Sequence, residues 1–156
     1  MSVSTDATIC YGFLCEEDAK FPWDNDVYEW DLQLWWRQVQ GYVPSHPLYR
    51  SDGNYLPGLE PTKEQEDAYW SEVEAWDAAH PFPVDIVNYC SAEHPMCIIA
   101  LRESVQTVAQ GYAERLDPLL LSVDAAAVQR LRDFCAQYEI AYEAGDEGWW
   151  LSSYWG

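Results

Sequence analysis

The residues with the most metal-like spacing in the chain are two cysteines and a histidine between positions 90 and 97. Cys90, His94 and Cys97 form the pattern Cys-x3-His-x2-Cys between two β-prone runs. Thiolate and imidazole groups are ligands that zinc prefers, and three of them at a hairpin could contribute to a tetrahedral site. The spacing is not that of a standard zinc knuckle, and the fourth ligand would have to come from elsewhere, such as Cys10, Cys15 or Cys135. Buried thiols and a histidine in a turn are the simpler interpretation.

No catalytic signature accompanies these residues. A cysteine nucleophile needs a neighbouring base, and none of the three histidines stands in a recognisable motif with a cysteine. Paired carboxylates carry no information in a chain with 27 acids, and the eight glycines form no phosphate-binding loop. We therefore predict no catalytic residues and no cofactor. A small metal-dependent enzyme that uses Cys90, His94 and Cys97 is the alternative.

A row of carboxylates between residues 60 and 77 has a spacing that suits recognition of a basic surface. Thr62 followed by Gln65 predicts a capping box at the start of a helix, and His80-Pro81 predicts its end. Residues three or four apart on a helix lie about 5–6 Å from one another, although such a row is more commonly a solvated face. With Glu66 beside them, the residues of this predicted contact are Glu60, Glu64, Asp67, Trp70, Glu74 and Asp77.

The segment Phe21–Gly41 provides a second predicted contact. Asp26 followed by Glu29 predicts a capping box at the start of another helix. Its apolar stripe would consist of Tyr28, Leu32, Trp35 and Val39. Trp36 falls on a different face and is therefore predicted to be exposed, where it would form the second contact together with Asp24, Asp26 and Glu29.

The elements that must position these groups can be predicted from the hydrophobic periodicity. A third helix is expected from about Asp124 to Tyr138. Strands are expected at 8–13, 84–90, 96–101, 105–109 and 149–155, and the short connections after residue 90 fit antiparallel hairpins. The order β-α-α-β-β-β-α-β predicts an α+β fold. We expect a single domain over residues 1–156, with an antiparallel or mixed sheet of about five strands and about three helices packed against it.

Charge is the dominant feature of the composition, with a net charge of −19 from 27 acids and 8 bases. Such a polyanion repels nucleic acid and anionic lipid and is attracted to basic surfaces, unless the charge only keeps an aromatic-rich protein soluble. Five cysteines at irregular spacings fit reduced thiols. No apolar run reaches the roughly 18 residues that cross a bilayer, and no signal peptide is visible. These features predict a cytoplasmic protein.

Four stretches carry a resemblance to a known group of proteins: FPWD at 21–24, the tryptophan pair at 35–36, CSAEHPM at 90–96 and WWLSSYW at 149–155. Together they are similar to small acidic proteins of tailed bacteriophages, over most of the chain. The resemblance implies a viral accessory protein that acts on a host factor, and it transfers no functional residue. In composition the chain also resembles DNA-mimic inhibitors of restriction or CRISPR systems.

The leading hypothesis is a non-enzymatic acidic protein that occupies a basic, nucleic-acid-binding surface of a host protein. Its carboxylates would stand in for phosphates, so binding would weaken steeply as salt rises. The partner would be a basic host protein in the host-cell cytoplasm, without direct contact to nucleic acid or membrane. The alternatives are the small metal-dependent enzyme and a phage structural or assembly component. Self-association, for example as a homodimer, would favour the latter.

Overall fold

The computed structural model describes residues 5–15, 19–24, 31–50, 54–91, 95–115, 121–142 and 144–155. Its helices and strands are, in chain order, β1 (Thr5–Leu14), α1 (Leu32–Val39), α2 (Lys63–Ala79), β2 (Val84–Ser91), β3 (Pro95–Leu101), β4 (Gln106–Val108), α3 (Ala125–Gln137) and β5 (Glu147–Trp155). The predicted order of elements is confirmed. So is the α+β class, with five strands in a mixed sheet and three helices.

The chain divides into two compact units. The helical unit consists of residues 21–82 and contains α1 and α2. The sheet unit consists of residues 1–20 and 83–156 and contains the five strands and α3. A single domain over the whole chain stays a prediction. None of the helices in the described ranges has the length and apolar character needed to span a membrane.

The strand pairings of the sheet unit close into a ring. β1 pairs antiparallel with β5 along one edge, and with β4 and then β3 along the other. β3 also pairs antiparallel with β2. β2 returns to β5 through a short parallel pairing, Cys90 with Tyr154 and Ser91 with Trp155. This parallel pairing makes the sheet mixed and completes the ring β1-β3-β2-β5.

Gly12 allows β1 to change neighbours from β4 to β3. It lies opposite Ala100 on β3 and opposite Gly148 on β5. A Cβ atom at position 12 would lie 2.1 Å from the carbonyl oxygen of Ile99, which is closer than any side chain tolerates. Only glycine therefore fits at this crossing.

Two layers of apolar side chains stabilise the sheet unit. One is a cluster of buried residues, Cys10, Val87, Ile98 and Ala100, with Leu14, Tyr89, Val105 and Trp150 packed against it. The other involves α3, which contacts β3 and buries Ala127, Val128, Leu131, Phe134 and Cys135. Asp124 caps α3 by accepting a hydrogen bond from the Ala126 N–H group, so the predicted start of this helix is confirmed.

The helical unit has an aromatic core, and this core corrects the prediction for Trp36. The side chain is 8% exposed and packs edge-on against Phe82, with ring centroids 5.2 Å apart. Its Nε1 donates to the carbonyl oxygen of His80 at 2.9 Å. Trp35 is buried as predicted, against Trp23 and Phe82. Adjacent residues on a helix point about 100° apart, and both rings contact Phe82, so α1 buries the two side chains together.

The predicted start of α1 is also wrong. Asp31, in an extended conformation, caps the helix by accepting a hydrogen bond from the Leu34 N–H group at 2.9 Å. Helix α1 therefore begins at Leu32, and the predicted capping box of Asp26 and Glu29 does not start it. Both of those residues lie outside the described residues.

Helix α2 begins and ends where the sequence predicts. The Thr62 hydroxyl accepts from the Gln65 N–H group, and the Gln65 side chain accepts from the Thr62 N–H group at 2.8 Å. His80 is the C-terminal cap, immediately before proline. The helix buries Tyr69 and Val73. This inner face sets the direction of every acidic side chain on the helix.

Candidate functional site

Helix α2 divides its acidic residues into two sets. Tyr69 and Val73 face the core of the helical unit, so the side chains next to them on the helix contact neighbouring segments. Glu72 and Asp77 are half-buried. The other acids of the helix are exposed: Glu64, Glu66, Asp67 and Glu74.

Glu72 connects α2 to the segment that follows α1. Its Oε1 accepts hydrogen bonds from the Ser45 N–H group at 2.9 Å and from the Tyr42 hydroxyl at 3.2 Å. Its Oε2 accepts a further bond from the Ser45 hydroxyl. These donors, with the Ser45 hydroxyl first, lower the pKa of Glu72 below its usual value. The carboxylate of Glu72 therefore has a structural role.

Asp77 connects α2 to α1 through an ion pair with Arg37. The guanidinium donates from Nε to Oδ1 at 2.8 Å and from Nη2 to Oδ2 at 2.6 Å. This bidentate hydrogen bonding to Asp77 raises the pKa of Arg37. Both oxygens of Asp77 are thus engaged within the unit, and its predicted contact with a partner stays a prediction.

The remaining residues of the predicted row are exposed, as is Glu66, and they lie on α2 or just before it. We call this group the outer patch, and it consists of Glu60, Glu64, Glu66, Asp67, Trp70 and Glu74. Its carboxylates form no ion pair with any side chain in the described part of the chain. At Glu64, hydrogen bonds from its own N–H group and from the Thr62 hydroxyl lower the pKa, which favours the charged form.

Trp70 is the exposed aromatic ring of the outer patch, with 46% of its surface accessible. Glu66, Asp67 and Glu74 stand four and three residues before it and four after it, which are neighbouring positions on a helix. Its ring packs edge-on against buried Tyr69, with centroids 5.1 Å apart. The face of an indole flanked by carboxylates is an arrangement that attracts guanidinium and ammonium groups.

Sequence reasoning missed an apolar extension of the outer patch. Tyr55, Leu56 and Leu59 are exposed in the segment before α2. An isolated bridge joins Tyr55 to Tyr49, whose ring stacks on Tyr69 at 3.9 Å. Burial, followed by the charges of Glu66 and Tyr55, raises the pKa of Tyr49. The apolar residues of this loop show no periodicity that could have revealed them.

Of the second predicted contact, only Trp36 and Asp24 lie in the described part of the chain, and the contact as a whole stays a prediction. Trp36 is buried, and the Oδ2 atom of Asp24 accepts from the Phe21 N–H group at 3.1 Å, which closes a local turn. Partial burial raises the pKa of Asp24, against the effect of that hydrogen bond. Asp26 and Glu29 lie outside the described residues. The outer patch is therefore the stronger candidate.

Two of the three predicted metal ligands lie on neighbouring strands. Cys90 pairs with Pro95, and Cys97 pairs with Asn88, so the two cysteines occupy offset positions of β2 and β3. His94 lies outside the described residues. Within the described ranges, no three side chains of the metal-binding types converge. The metal site stays a prediction.

Comparisons of the chain with protein-family models, with curated proteins and with solved structures find no match. Function must therefore be inferred from the geometry of the chain itself. The outer patch is exposed and negatively charged and contains a tryptophan, and these properties together favour a basic partner.

Proposed function

We propose that this protein is a non-enzymatic interaction protein whose outer patch binds a basic surface of another protein. The observation that carries the proposal is Trp70, an exposed ring between Glu66, Asp67 and Glu74, whose carboxylates have no ion-pair partner among the described residues. Tryptophan is a frequent centre of binding energy because it buries a large area with little loss of rotamer entropy. A net charge of −19 speeds the encounter with a basic partner.

The partner that fits best is a protein whose basic surface normally binds nucleic acid. The four exposed acids of α2 extend from Glu64 to Glu74, a length of about 15 Å at 1.5 Å per residue. That is about one negative charge per 4–5 Å, similar to the 3.4 Å per charge of one DNA strand. A surface built for phosphates would therefore meet carboxylates at comparable density. The resemblance to phage proteins supports an inhibitor that acts in the host-cell cytoplasm.

Affinity capture from a nuclease-treated bacterial lysate tests this function, with elution by a salt gradient. The native protein is compared with a variant that neutralises the outer patch, Glu66→Gln, Asp67→Asn and Glu74→Gln. We expect the native protein to retain a basic protein that elutes as salt rises, and the variant to lose it. The captured protein, once purified, should bind duplex DNA or RNA, and the native protein should compete for that binding.

A charge-matched control separates the outer patch from net charge. The variant Glu114→Gln, Asp133→Asn and Glu139→Gln removes the same number of charges from exposed positions of the sheet unit. It should retain the captured protein almost unchanged. Equal loss in both variants would mean that only net charge matters. Capture of a non-basic protein, or capture insensitive to salt, would contradict the mimicry of nucleic acid.

A further inference from the structure

The sheet unit contains a cavity of about 690 Å³ that no part of the proposed interaction surface uses. It lies against all four strands of the ring, with Leu14 of β1, Tyr89 of β2, Ile98 of β3 and Trp150 of β5 in its lining. Ile98 is 1% exposed and forms the deep end, whereas Leu151 is 76% exposed and lies at the rim. The cavity therefore leads from the surface to the buried cluster of the ring.

The opening follows from the way β2 and β5 pair. Their register comprises only two positions, Cys90 with Tyr154 and Ser91 with Trp155. Cys90 has a φ of 76°, in the left-handed region that a cysteine rarely adopts. This conformation interrupts the alternation of β2, so that Tyr89, Cys90 and Ser91 all line the cavity in succession. Strained backbone of this kind is often found where a protein holds a ligand.

Hydrogen bonds within the sheet unit fix one wall of the cavity without a ligand. The indole N–H group of Trp150 donates to the carbonyl oxygens of Gly12 and Asp146, at 3.3 and 3.2 Å. Burial raises the pKa of Tyr89, so its hydroxyl is neutral at physiological pH. The hydrogen-bonded indole of Trp150 and the neutral phenol of Tyr89 therefore bound a space whose size is within the 300–1,000 Å³ typical of ligand pockets.

The described residues of the lining are uncharged, which favours an uncharged ligand. The polar lining residues are Tyr89, Cys90, Ser91, Ser152 and Ser153. No described lining residue is an acid, lysine, arginine or histidine. A charged ligand would lose hydration there without gaining an ion-pair partner from the described part of the lining. The net charge of −19 further disfavours an anion.

We propose that this cavity binds a neutral, mainly apolar small molecule, whose single polar group would meet the serine hydroxyls. The occupant is a small molecule because the space is concave and ends on the buried cluster, not on a flat face. This binding would be a property of the sheet unit and is independent of the outer patch on the helical unit.

A pair of related fluorescent probes tests the proposal on the full chain. N-phenylnaphthylamine is neutral and apolar, whereas anilinonaphthalene sulfonate adds one negative charge to a similar ring system. The neutral probe should bind at one saturable site, and the sulfonate should bind about tenfold or more weakly because its charge would be unpaired. Absence of saturable binding of the neutral probe, or equal affinity for the sulfonate, would overturn the proposal.

Two matched substitutions locate the binding. Ser152 and Thr107 both lie opposite Thr8, on β5 and β4 respectively, but only Ser152 lines the cavity. Ser152→Phe should fill the space and abolish binding of N-phenylnaphthylamine, whereas Thr107→Phe should leave it intact. Unchanged binding by a folded Ser152→Phe variant would place the probe elsewhere and overturn the proposal.

The thiol of Cys90 provides a measurement that needs no change in the cavity. Cys90 is exposed, whereas burial raises the pKa of Cys10 to about 11 and that of Cys135 to about 12, which suppresses their reactivity. Bound N-phenylnaphthylamine should slow alkylation of Cys90, with Cys90→Ser identifying the modified site by mass. Alkylation of Cys90 at the same rate with and without the probe would contradict the proposal, even if Ser152→Phe fails to fold.

Discussion

The two sides of helix α2 carry the same kind of residue in different roles. On the inner side, Glu72 and Asp77 receive hydrogen bonds from Ser45, Tyr42 and Arg37. On the outer side, the carboxylates of the outer patch receive none from side chains outside α2 and its cap, within the described ranges. The difference depends on which segments pack against the helix, since the local sequence on both sides is similarly acidic.

This difference teaches that the net charge of an acidic protein is not a single property. The inner carboxylates stabilise the fold because their partners are fixed and partly shielded from water. Among the outer carboxylates of α2, only Glu64 and Asp67 stand at facing positions, three residues apart, so these charges contribute little to the stability of the helix. Charges without a partner inside the protein are the ones available to another molecule. Substitutions on the two sides can break or sharpen this distinction.

The largest loss of stability is expected for Asp77→Ala. The substitution leaves Arg37, whose side chain is only 13% exposed, without its carboxylate. We expect the free energy of unfolding to fall by about 2 kcal/mol, less than the 3–5 kcal/mol of a fully buried pair, because Asp77 is partly solvated. Urea unfolding of Asp77→Ala and of Asp67→Ala, its outer counterpart, measures this. Equal losses in the two variants would remove the distinction between the two sides.

An intermediate loss, with a characteristic pH dependence, is expected for Glu72→Gln. We expect the free energy of unfolding at neutral pH to fall by about 1 kcal/mol, because charge-assisted hydrogen bonds to Ser45 become neutral ones. The pKa of Glu72 is lowered from 4.5 in the folded protein, so its contribution is present above pH 4.5 and is lost as pH falls through the folded value. The stability difference between native protein and variant should therefore shrink in acid. A difference that is constant with pH would exclude a charged Glu72 as its source.

The smallest change in stability is expected when the outer patch itself is neutralised. The variant Glu66→Gln, Asp67→Asn and Glu74→Gln removes three charges from exposed positions of α2. We expect a free energy of unfolding within about 0.5 kcal/mol of the native value, because these side chains are exposed and none of them faces another at helical spacing. Thermal unfolding at low and high salt checks this, since salt should reduce the difference. A destabilised variant would show that these acids have structural partners after all.

Local patterns predicted the elements well, and the order of helices and strands followed from them. The capping box of Thr62 and Gln65 and the cap at Asp124 are determined by residues within one helical turn, so they could be identified in the sequence. Trp36 could not be placed, because its burial depends on Phe82 and His80, which are distant in the chain. Burial of both faces of a short helix leaves no periodic trace.

The same distinction between local and distant contacts applies to the candidate site. Trp70 and its neighbouring acids could be predicted because they follow one another on a helix. The engagement of Asp77 could not, since Arg37 is 40 positions away, and the donors to Glu72 are 27 and 30 positions away. The ring of strands was also missed, because the parallel pairing of β2 with β5 joins distant parts of the chain. Gly12 within an apolar strand was the one local hint of a close crossing.

The ring of strands has a consequence for the order in which the chain folds during synthesis. The helical unit is one continuous segment and is complete once Phe82 has been made, whereas β1 pairs with the last strand. Tyr11 and its partner Glu147 are 136 positions apart, so β5 is synthesised about 7–27 s after β1 at ordinary rates of translation. Strand β1 is thus synthesised before the other strands of the ring and is among the last to complete its pairing. The intervening helical unit can fold during this interval.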